Sequence, residues 1–191
     1  MRVISGRARG TILHSIENLS TRPTLDRVKE SLFNIINPKI SENTICLDLF
    51  SGSGAIGIEF LSRGAKEVLF CDKSKEAVNM IKQNLIKTRL LDKATVIEKD
   101  YVQCLQYLKD INKKFNIIYI DPPYAADISV LAIKYIDKFN LLENDGIIII
   151  ETDEKERELK EIENNIDLKY KVYDLRKYGR AYLIFLDERG K

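Results

Sequence analysis

The sequence has no tryptophan, one histidine and three cysteines among its 191 residues, and these shortages exclude several kinds of site. Cys46, Cys71 and Cys104 are far apart, lie in apolar surroundings and form no C-x-x-C pair, so we expect buried, reduced thiols in a cytoplasmic protein. With His14 as the single histidine, ligands are too few for a structural zinc site, and we expect no metal. The amino-terminal stretch lacks a signal-peptide core, and no apolar run approaches the ~20 residues of a membrane span.

The chain also has little net charge, since 31 basic and 29 acidic side chains leave a balance of +2. The distribution is uneven, because residues 1–40 hold seven basic and three acidic side chains and the remainder is therefore near −2. This asymmetry is typical of a basic arm that contacts a polyanion, with Arg7 and Arg9 at its tip. A solvated N-terminal face explains it equally well.

A regular alternation of strand and helix patterns begins at Thr44 and predicts an α/β fold. The five strand segments in this alternation lie at residues 45–50, 67–71, 94–98, 116–120 and 146–151. Short apolar strands separated by helices form a parallel sheet with helices on both faces. Two further strands, 168–175 and 182–187, are joined by too few residues for a crossover helix and must be antiparallel. We therefore predict a doubly wound, mostly parallel seven-stranded sheet, Rossmann-like, as one compact unit over residues 41–191.

Residues 1–40 are predicted to be an extension made of a hairpin and a helix. Segments 2–4 and 11–13 have the strand pattern of a hairpin with a basic, glycine-flanked turn. Thr24 is a good N-cap for the helix that follows, and Asn37-Pro38 ends it. On this helix we expect an apolar stripe of Val28, Leu32, Ile35 and Ile36, with Arg27 and Lys29 off the stripe. The same periodicity places Ile86 on the inner face of the helix that Ser74 caps.

A glycine-rich loop follows the first strand of the alternation. Gly52, Gly54 and Gly57 have the G-x-G-x-x-G spacing, and Asp72 lies 20 residues after Gly52 at the end of the next strand. Glycines let the backbone approach a ligand closely, and an acid at this distance accepts hydrogen bonds from ribose hydroxyls. The pattern alone fits NAD, FAD or S-adenosylmethionine.

Two more acids favour the last of these ligands. Asp48 lies just before the loop, where its charge opposes a diphosphate and attracts the ammonium of an amino-acid ligand. Asp100 follows the third strand and adds an acceptor suited to an adenine amino group. S-adenosylmethionine carries both the ammonium and a sulfonium cation, so an acid-lined cleft suits it better than NAD.

The fourth strand stops at the tetrapeptide Asp121-Pro122-Pro123-Tyr124, which we predict to be the catalytic loop. Two prolines cannot continue a sheet ladder or a helix, so this is a rigid loop at a strand end. Asp121 and the Pro122 carbonyl can accept both hydrogens of an sp² amine and turn its lone pair toward a methyl donor. Tyr124 can stack on the base, which must be swung out of its helix. The loop therefore predicts methyl transfer to an exocyclic amine of a nucleobase.

Several stretches together resemble the RsmD family of 16S rRNA guanine-N2 methyltransferases, which are class I S-adenosylmethionine-dependent enzymes. They are RVISGRARG, RPTLDRVKESLFNII, LDLFSGSGAIGIEFLSRGA, FCDKS, FNIIYIDPPY and RKYGRAYL. The resemblance implies methyl transfer to guanine N2 of 16S rRNA assembled in the small ribosomal subunit. It also implies that the RPT stretch lies near the substrate. We expect a monomer without a membrane partner.

The predicted site residues fall into two further groups. The expected cofactor contacts are Asp48, Phe50, Gly52, Ser53, Gly54, Gly57, Asp72, Lys73, Asp100 and Tyr101. The expected substrate contacts are Arg7, Arg9, Arg22, Thr24 and Arg27. Where such enzymes often have Glu at the end of the second strand, this chain has Asp72, whose reach to a ribose is shorter.

Two alternatives to an rRNA methyltransferase stay open at this point. A DNA adenine or cytosine amino-methyltransferase shares the DPPY tetrapeptide, although the chain has no obvious target-recognition domain of ~100 residues. A non-catalytic module that senses NAD is the other. Glu151 either lines the pocket or caps a loop, and the turn at 176–180 either touches nucleic acid or is an ordinary polar hairpin turn.

Overall fold

Seven strands of the chain form one sheet in the computed structural model, which describes residues 1–15, 23–122, 128–165 and 168–188, without the side chains of 23–25. The strands are β1 (Ile45–Leu49), β2 (Glu67–Asp72), β3 (Ala94–Glu98), β4 (Phe115–Ile120), β5 (Leu142–Thr152), β6 (Lys171–Tyr178) and β7 (Ala181–Asp187). The α-helices in the same ranges are α1 (Pro23–Ile36), α2 (Ala55–Ser62), α3 (Lys75–Thr88), α4 (Tyr101–Asp110), α5 (Ile128–Lys138) and α6 (Lys155–Asn164).

The strand order is β3-β2-β1-β4-β5-β7-β6, and it confirms the predicted doubly wound sheet. Strands β1 to β5 are all parallel to one another, whereas β7 is antiparallel to both β5 and β6. The order reverses between β1 and β4, which are direct neighbours although two strands separate them in sequence. A crevice at the carboxyl ends of such strands is where open α/β sheets bind ligands.

Each face of the sheet buries its own apolar cluster. One cluster holds residues of α1, α2 and α3, among them Phe33, Ile58 and Ile81. The other holds residues of α4 and α5, among them Leu105 and Ile133. Fully burying a side chain of this kind stabilises a fold by about 1.5–3 kcal/mol, so the two clusters account for the layered arrangement. All three cysteines are buried and free, as predicted.

The amino-terminal extension reverses direction as expected, but its hairpin is reduced to one antiparallel bridge between Arg2 and Ile12. A carboxylate holds this segment in place, because the Glu59 oxygens accept hydrogen bonds from the backbone N–H groups of Ile4 (2.8 Å) and Ser5 (2.9 Å). Glu59 belongs to α2 and is fully buried. The extension is therefore joined to the sheet domain through polar groups that are closed to solvent.

The same carboxylate accounts for Lys29, which was predicted only to lie off the apolar stripe and which the structure buries. Its side chain is 2% exposed, and its ammonium group lies 3.4 Å from Glu59 Oε2 and donates to the Arg2 carbonyl at 2.6 Å. Burial lowers the pKa of Lys29, and the Glu59 charge opposes that shift. Arg63 completes the cluster with Nε 2.9 Å from Glu59 Oε1. Lys29 is thus a buried ion-pair partner and does not lie on a solvated face.

Two other local predictions need correction. Helix α1 begins at Pro23, so Thr24 lies in its first turn and is not the N-cap. Proline suits this first position because its missing N–H would have no helical partner there. Ile86 is 63% exposed, because α3 turns Ala77, Val78, Ile81 and Leu85 to the sheet and leaves Ile86 beyond that stripe.

Helix α1 runs opposite to the parallel strands. Its carboxyl end leads through a short 3-10 turn at Asn37–Lys39 to Thr44, which immediately precedes β1. The first turn of α1 therefore lies toward the carboxyl edge of the sheet. Helix α2 has the same direction, since it leaves the carboxyl end of β1 and ends where the Lys66 N–H bonds the Thr44 carbonyl.

Candidate active site

The chain leaves β1 through a tight loop that exposes backbone at the carboxyl edge. Phe50, Gly52 and Gly54 all have positive φ, at 66°, 53° and 76°. A non-glycine residue such as Phe50 is uncommon in this conformation and marks a constrained position. A Cβ atom on Gly52 would meet nothing within 4 Å, so the space above this backbone is open to a ligand.

Gly57 has a different role in the same loop. A Cβ atom there would lie 2.2 Å from the Phe70 ring, so only glycine lets α2 approach β2 this closely. Its N–H donates to Asp48 Oδ2 at 2.9 Å. Asp48 is thereby held beneath the first turn of α2 with 2% of its surface exposed.

Asp72 supports the loop from the neighbouring strand. Its carboxylate accepts hydrogen bonds from the N–H of Gly52 and of Ser74, both at 2.9 Å. Ser51 adds a second link between β1 and β2, since its hydroxyl donates a hydrogen bond to the Asp48 carbonyl and accepts one from the Cys71 N–H. Asp72 therefore shapes the glycine loop, and a carboxylate oxygen has a further lone pair for a ligand hydroxyl.

The third strand end supplies an aromatic pair beside this loop. Asp100 caps α4 by accepting from the N–H groups of Val102 and Gln103. The next residue, Tyr101, places its ring 5.4 Å from the Phe50 ring, centroid to centroid. Lys73 is exposed on the same edge. The predicted residues of the first three strand ends thus come together at one edge of the sheet.

The fourth and fifth strand ends place three polar side chains side by side. Tyr119 is buried in β4, and its hydroxyl donates a hydrogen bond to Glu151 Oε2 at the end of β5. Ile120 pairs with Ile150, so Asp121 lies next to Glu151 across the strands. The role of Glu151 therefore includes a direct contact with the strand that carries the DPPY loop. Sequence reasoning left this open, because its partner is 32 residues away.

Desolvation perturbs the carboxyl groups at this edge. Although solvent reaches the Asp121 side chain, the protein around it removes much of its hydration, which raises its pKa well above the ordinary value. Charge repulsion from Glu151 and Asp48 adds to this rise. Burial raises the pKa of Glu151 too, against the Tyr119 hydrogen bond, which lowers it.

Asp48 shows the same effect in a fully buried setting. Burial raises its pKa to about 7, with a contribution from Asp72, while the Gly57 hydrogen bond lowers it. Neighbouring carboxyl groups repel one another when ionised, which makes the charged form of each more costly. A cation held at this edge would relieve the repulsion, so the electrostatics suit a positively charged ligand.

Asn84 is a member of the site that the sequence did not reveal. It is fully buried in α3, and its Nδ2 donates to the Ser53 carbonyl at 2.9 Å and to the His14 carbonyl at 3.0 Å. Its Oδ1 accepts from the His14 N–H at 2.7 Å. One amide thus links the glycine loop to the amino-terminal extension. An asparagine inside a helix is a weak signal, because its partners are 31 and 70 residues away.

The predicted substrate contacts are not all brought to this edge. Arg27 is exposed in the second turn of α1, on the half of the helix nearer the carboxyl edge. Arg7 lies at the other end of α2, where its N–H bonds the Ser62 carbonyl, and Arg9 is in the same turn. Arg7 and Arg9 therefore do not join the group around Asp121.

Some predicted residues lie outside the described part of the chain. They are Arg22, Pro123 and Tyr124, together with the side chain of Thr24. Within the ranges that are described, no group of three or more His, Cys, Asp or Glu side chains is arranged to hold a metal ion. None of the helices in those ranges is long and apolar enough to cross a membrane.

The chain is similar to known proteins over nearly its whole length. The family model described as Conserved hypothetical protein 95 matches residues 1–186. The Ribosomal RNA small subunit methyltransferase D of Haemophilus influenzae is 36% identical over 181 residues, which cover 93% of this chain and 91% of that protein.

Solved structures share the fold. Hypothetical protein TTHA0928 of Thermus thermophilus superposes with a TM-score of 0.78 at 27% identity, covering 98% of this chain and 99% of the other. SMU.776, a methyltransferase candidate solved in complex with SAH, has a TM-score of 0.68 at 20% identity. That match covers 84% of this chain and 48% of the other, and it bears on the fold alone.

Proposed function

The chain belongs to the Conserved hypothetical protein 95 family, the RsmD family of methyltransferases, and from this premise we propose its reaction. It transfers a methyl group from S-adenosylmethionine to the exocyclic N2 amine of one guanine in 16S rRNA. The substrate is the rRNA of an assembled small ribosomal subunit. The name of the Haemophilus influenzae relative supports the RNA class, and the choice of guanine N2 is our inference.

One observation carries the proposal: Asp121 directly follows β4, the strand beside the one that leads into the glycine loop. Strand β4 pairs with β1 in parallel, and Leu49 and Ile120 are partners at the last register position. Asp121 and Phe50 therefore leave the sheet together, at the point where the strand order reverses. A group bound on the glycine loop and an amine held by Asp121 would be neighbours.

The residues of this edge fit S-adenosylmethionine. The open space above Gly52 admits a ligand against the backbone, and the carboxyls of Asp48 and Asp72 lie beneath and beside it. Phe50 and Tyr101 offer aromatic surface for an adenine. When bound, this cofactor supplies the methyl group on a sulfonium centre.

The chain's own residues orient the amine and take its proton. Asp121 and the Pro122 carbonyl accept the two N–H hydrogens, which fixes the amine plane and points its lone pair at the methyl donor. A cation on the glycine loop favours the ionised form of Asp121, because an opposite charge within ~4–6 Å lowers a carboxyl pKa. Glu151, at the end of β5, lies next to Asp121 and accepts a hydrogen bond from the Tyr119 hydroxyl of β4, so it offers an acceptor for the released proton.

The test is methyl transfer from labelled S-adenosylmethionine to purified small ribosomal subunits, followed by mass-spectrometric mapping of modified guanines. Asp121→Asn is expected to lower kcat by roughly 100-fold or more while SAH still binds. Asp110→Asn, an exposed acid at the far end of α4, serves as the matched control and should keep wild-type activity.

Other outcomes identify the alternatives. Label in DNA but not in ribosomal subunits would assign the chain to the DNA amino-methyltransferases. Calorimetric binding of NAD without binding of SAH would instead indicate a nucleotide sensor. Full activity of Asp121→Asn on ribosomal subunits would remove Asp121 from the chemistry.

A further inference from the structure

The turn between β6 and β7 lies at the same sheet edge as Asp121. Strand β7 is antiparallel to β5, and its first residues pair with the last residues of β5, with Tyr182 opposite Thr152. The turn at Gly179-Arg180 therefore projects past the end of β5, beyond Glu151. The sequence alone offered no reason to place this turn near the catalytic loop, because only the pairing of β7 with β5 brings it there.

The side chains around this turn are basic and cluster on one aromatic ring. The ammonium groups of Lys177 and Lys155 lie 5.4 Å and 5.5 Å from the centroid of the Tyr182 ring. Arg180 is exposed in the turn itself. We refer to Lys155, Lys177, Arg180 and Tyr182 as the basic turn cluster.

Acidic groups nearby neutralise only part of this charge. Glu156 lies 3.1 Å from the Lys155 ammonium. The hydrogen bond from Lys155 is the main cause that lowers the pKa of Glu156, followed by its own backbone N–H and by the charges of Lys155 and Lys177. Asp174 is paired with Arg176 at 2.9 Å on the adjoining part of β6. Lys177 and Arg180 form no ion pair among the described residues within 4.0 Å, so their charge is available to an external anion.

We propose that the basic turn cluster binds the phosphates of nucleotides that flank the target base. This inference rests on the proposed RNA substrate and adds a contact surface to it. Two ammonium groups that share one ring repel each other, and an anion near them relieves that repulsion. Lysine and arginine are the side chains that bind RNA phosphates, and the ring of Tyr182 can in addition stack on an unpaired base.

The order of strand ends along the edge supports this position. The predicted cofactor residues lie at or just after the ends of β1, β2 and β3, and Asp121 directly follows β4. RNA that delivers a base to β4 must therefore leave on the other side, over β5, β7 and β6. Neighbouring strands are ~4.8 Å apart, so β7 and β6 lie about 10–14 Å from β4. Enzymes that flip a base contact the nucleotides next to it, and the cluster is within that reach.

The test compares two double variants that remove the same charge. Lys177→Gln/Arg180→Gln removes the two cluster charges that have no ion-pair partner in the described part of the chain, and Lys39→Gln/Lys171→Gln removes the charges of two exposed lysines at the opposite, amino edge of the sheet. Affinity for a labelled single-stranded RNA is measured as a function of salt concentration. Two lost phosphate contacts should reduce the log–log slope by about 1.4, since each contributes ~0.7 on single strands. The control should keep the wild-type slope.

Methyl transfer to small ribosomal subunits gives a second readout. The cluster variant should raise KM several-fold and leave kcat within about twofold, because phosphate contacts act on binding and not on the amine. Unchanged slope and KM in the cluster variant, with an active wild type, would overturn this inference alone. A wild type that does not methylate ribosomal RNA would instead refute the proposed function. If the double variant does not fold, the single variant Arg180→Gln, which alters only the exposed turn, is tested in the same two assays.

Discussion

Replacing Asp48 by asparagine should stabilise the fold and weaken the cofactor site at the same time. The introduced amide would keep an oxygen able to accept the Gly57 N–H, so the contact at the start of α2 is retained. The substitution removes a charge from a position that is 2% exposed. It therefore separates the cost of burying a carboxylate from the geometry of the loop.

The magnitude follows from the raised pKa. Asp48 titrates at about 7 in the folded protein, against an ordinary value of 3.8. Between pH 4 and 7 the folded protein keeps a proton on Asp48 that the unfolded chain has released, so wild-type stability falls as the pH rises through this interval. Each unit of pKa difference between the two states corresponds to about 1.36 kcal/mol. Burial of the Asp48 carboxylate therefore destabilises the folded protein by about 4 kcal/mol at pH 8 and by close to nothing below pH 4.

The assay is urea unfolding of both proteins at several pH values between 4 and 8. We expect the variant to exceed the wild type by up to about 4 kcal/mol at pH 8, with the difference shrinking to nothing at pH 4. Asp121 and Glu151 titrate in both proteins, so most of their contribution cancels in the difference. A difference that is independent of pH would refute the reasoning, because it would show that Asp48 is ionised normally in the fold. Calorimetry should show weaker binding of SAH by the variant at pH 8.

Two further substitutions test the packing that positions the site. Gly57→Ala should lower the free energy of unfolding by about 1–3 kcal/mol and weaken SAH binding, since its methyl group would meet the Phe70 ring at 2.2 Å. Adding Phe70→Leu should restore part of the stability and part of the binding, and strict additivity of the two substitutions would contradict the contact. Glu59→Gln should lower the free energy of unfolding in urea by about 3–5 kcal/mol, because it leaves the Lys29 ammonium buried without its anion. The matched control is Glu67→Gln, which breaks a partly exposed pair with Lys113 and should lower this free energy by less than about 1 kcal/mol. Equal losses for the two Glu→Gln variants would show that burial of the Lys29 pair contributes nothing.

The sheet was predictable because its signals are local. Buried strands have continuous apolar runs, helices between them force parallel pairing, and the short 176–180 connection excludes a crossover. The glycine loop and the strand-end acids follow the same logic, since topology alone gathers strand ends at one edge. These features need no knowledge of which distant side chains meet.

What the sequence did not reveal depends on contacts between distant parts of the chain. Lys29 looks like a surface residue until Glu59, on another helix, supplies its anion inside the protein. Asn84 has no local pattern that distinguishes it from any polar helix residue. Ile86 shows the reverse, because a helical stripe has no fixed width and the sheet beneath α3 covers only part of it. Burial of single polar residues is therefore decided by tertiary partners and not by periodicity.

The position of β5 in the sheet has a consequence for how the protein is made. Strand β5 has four consecutive buried isoleucines, Ile147 to Ile150, and lies between β4 and β7. Its partner β7 begins at Ala181, well after β5 ends at Thr152, so it leaves the ribosome later than β5. Until then β5 is an unprotected apolar edge, the type of strand that pairs readily with other nascent chains. Production of this protein therefore depends on prompt closure by the β6–β7 hairpin, and chains cut before residue 181 should aggregate.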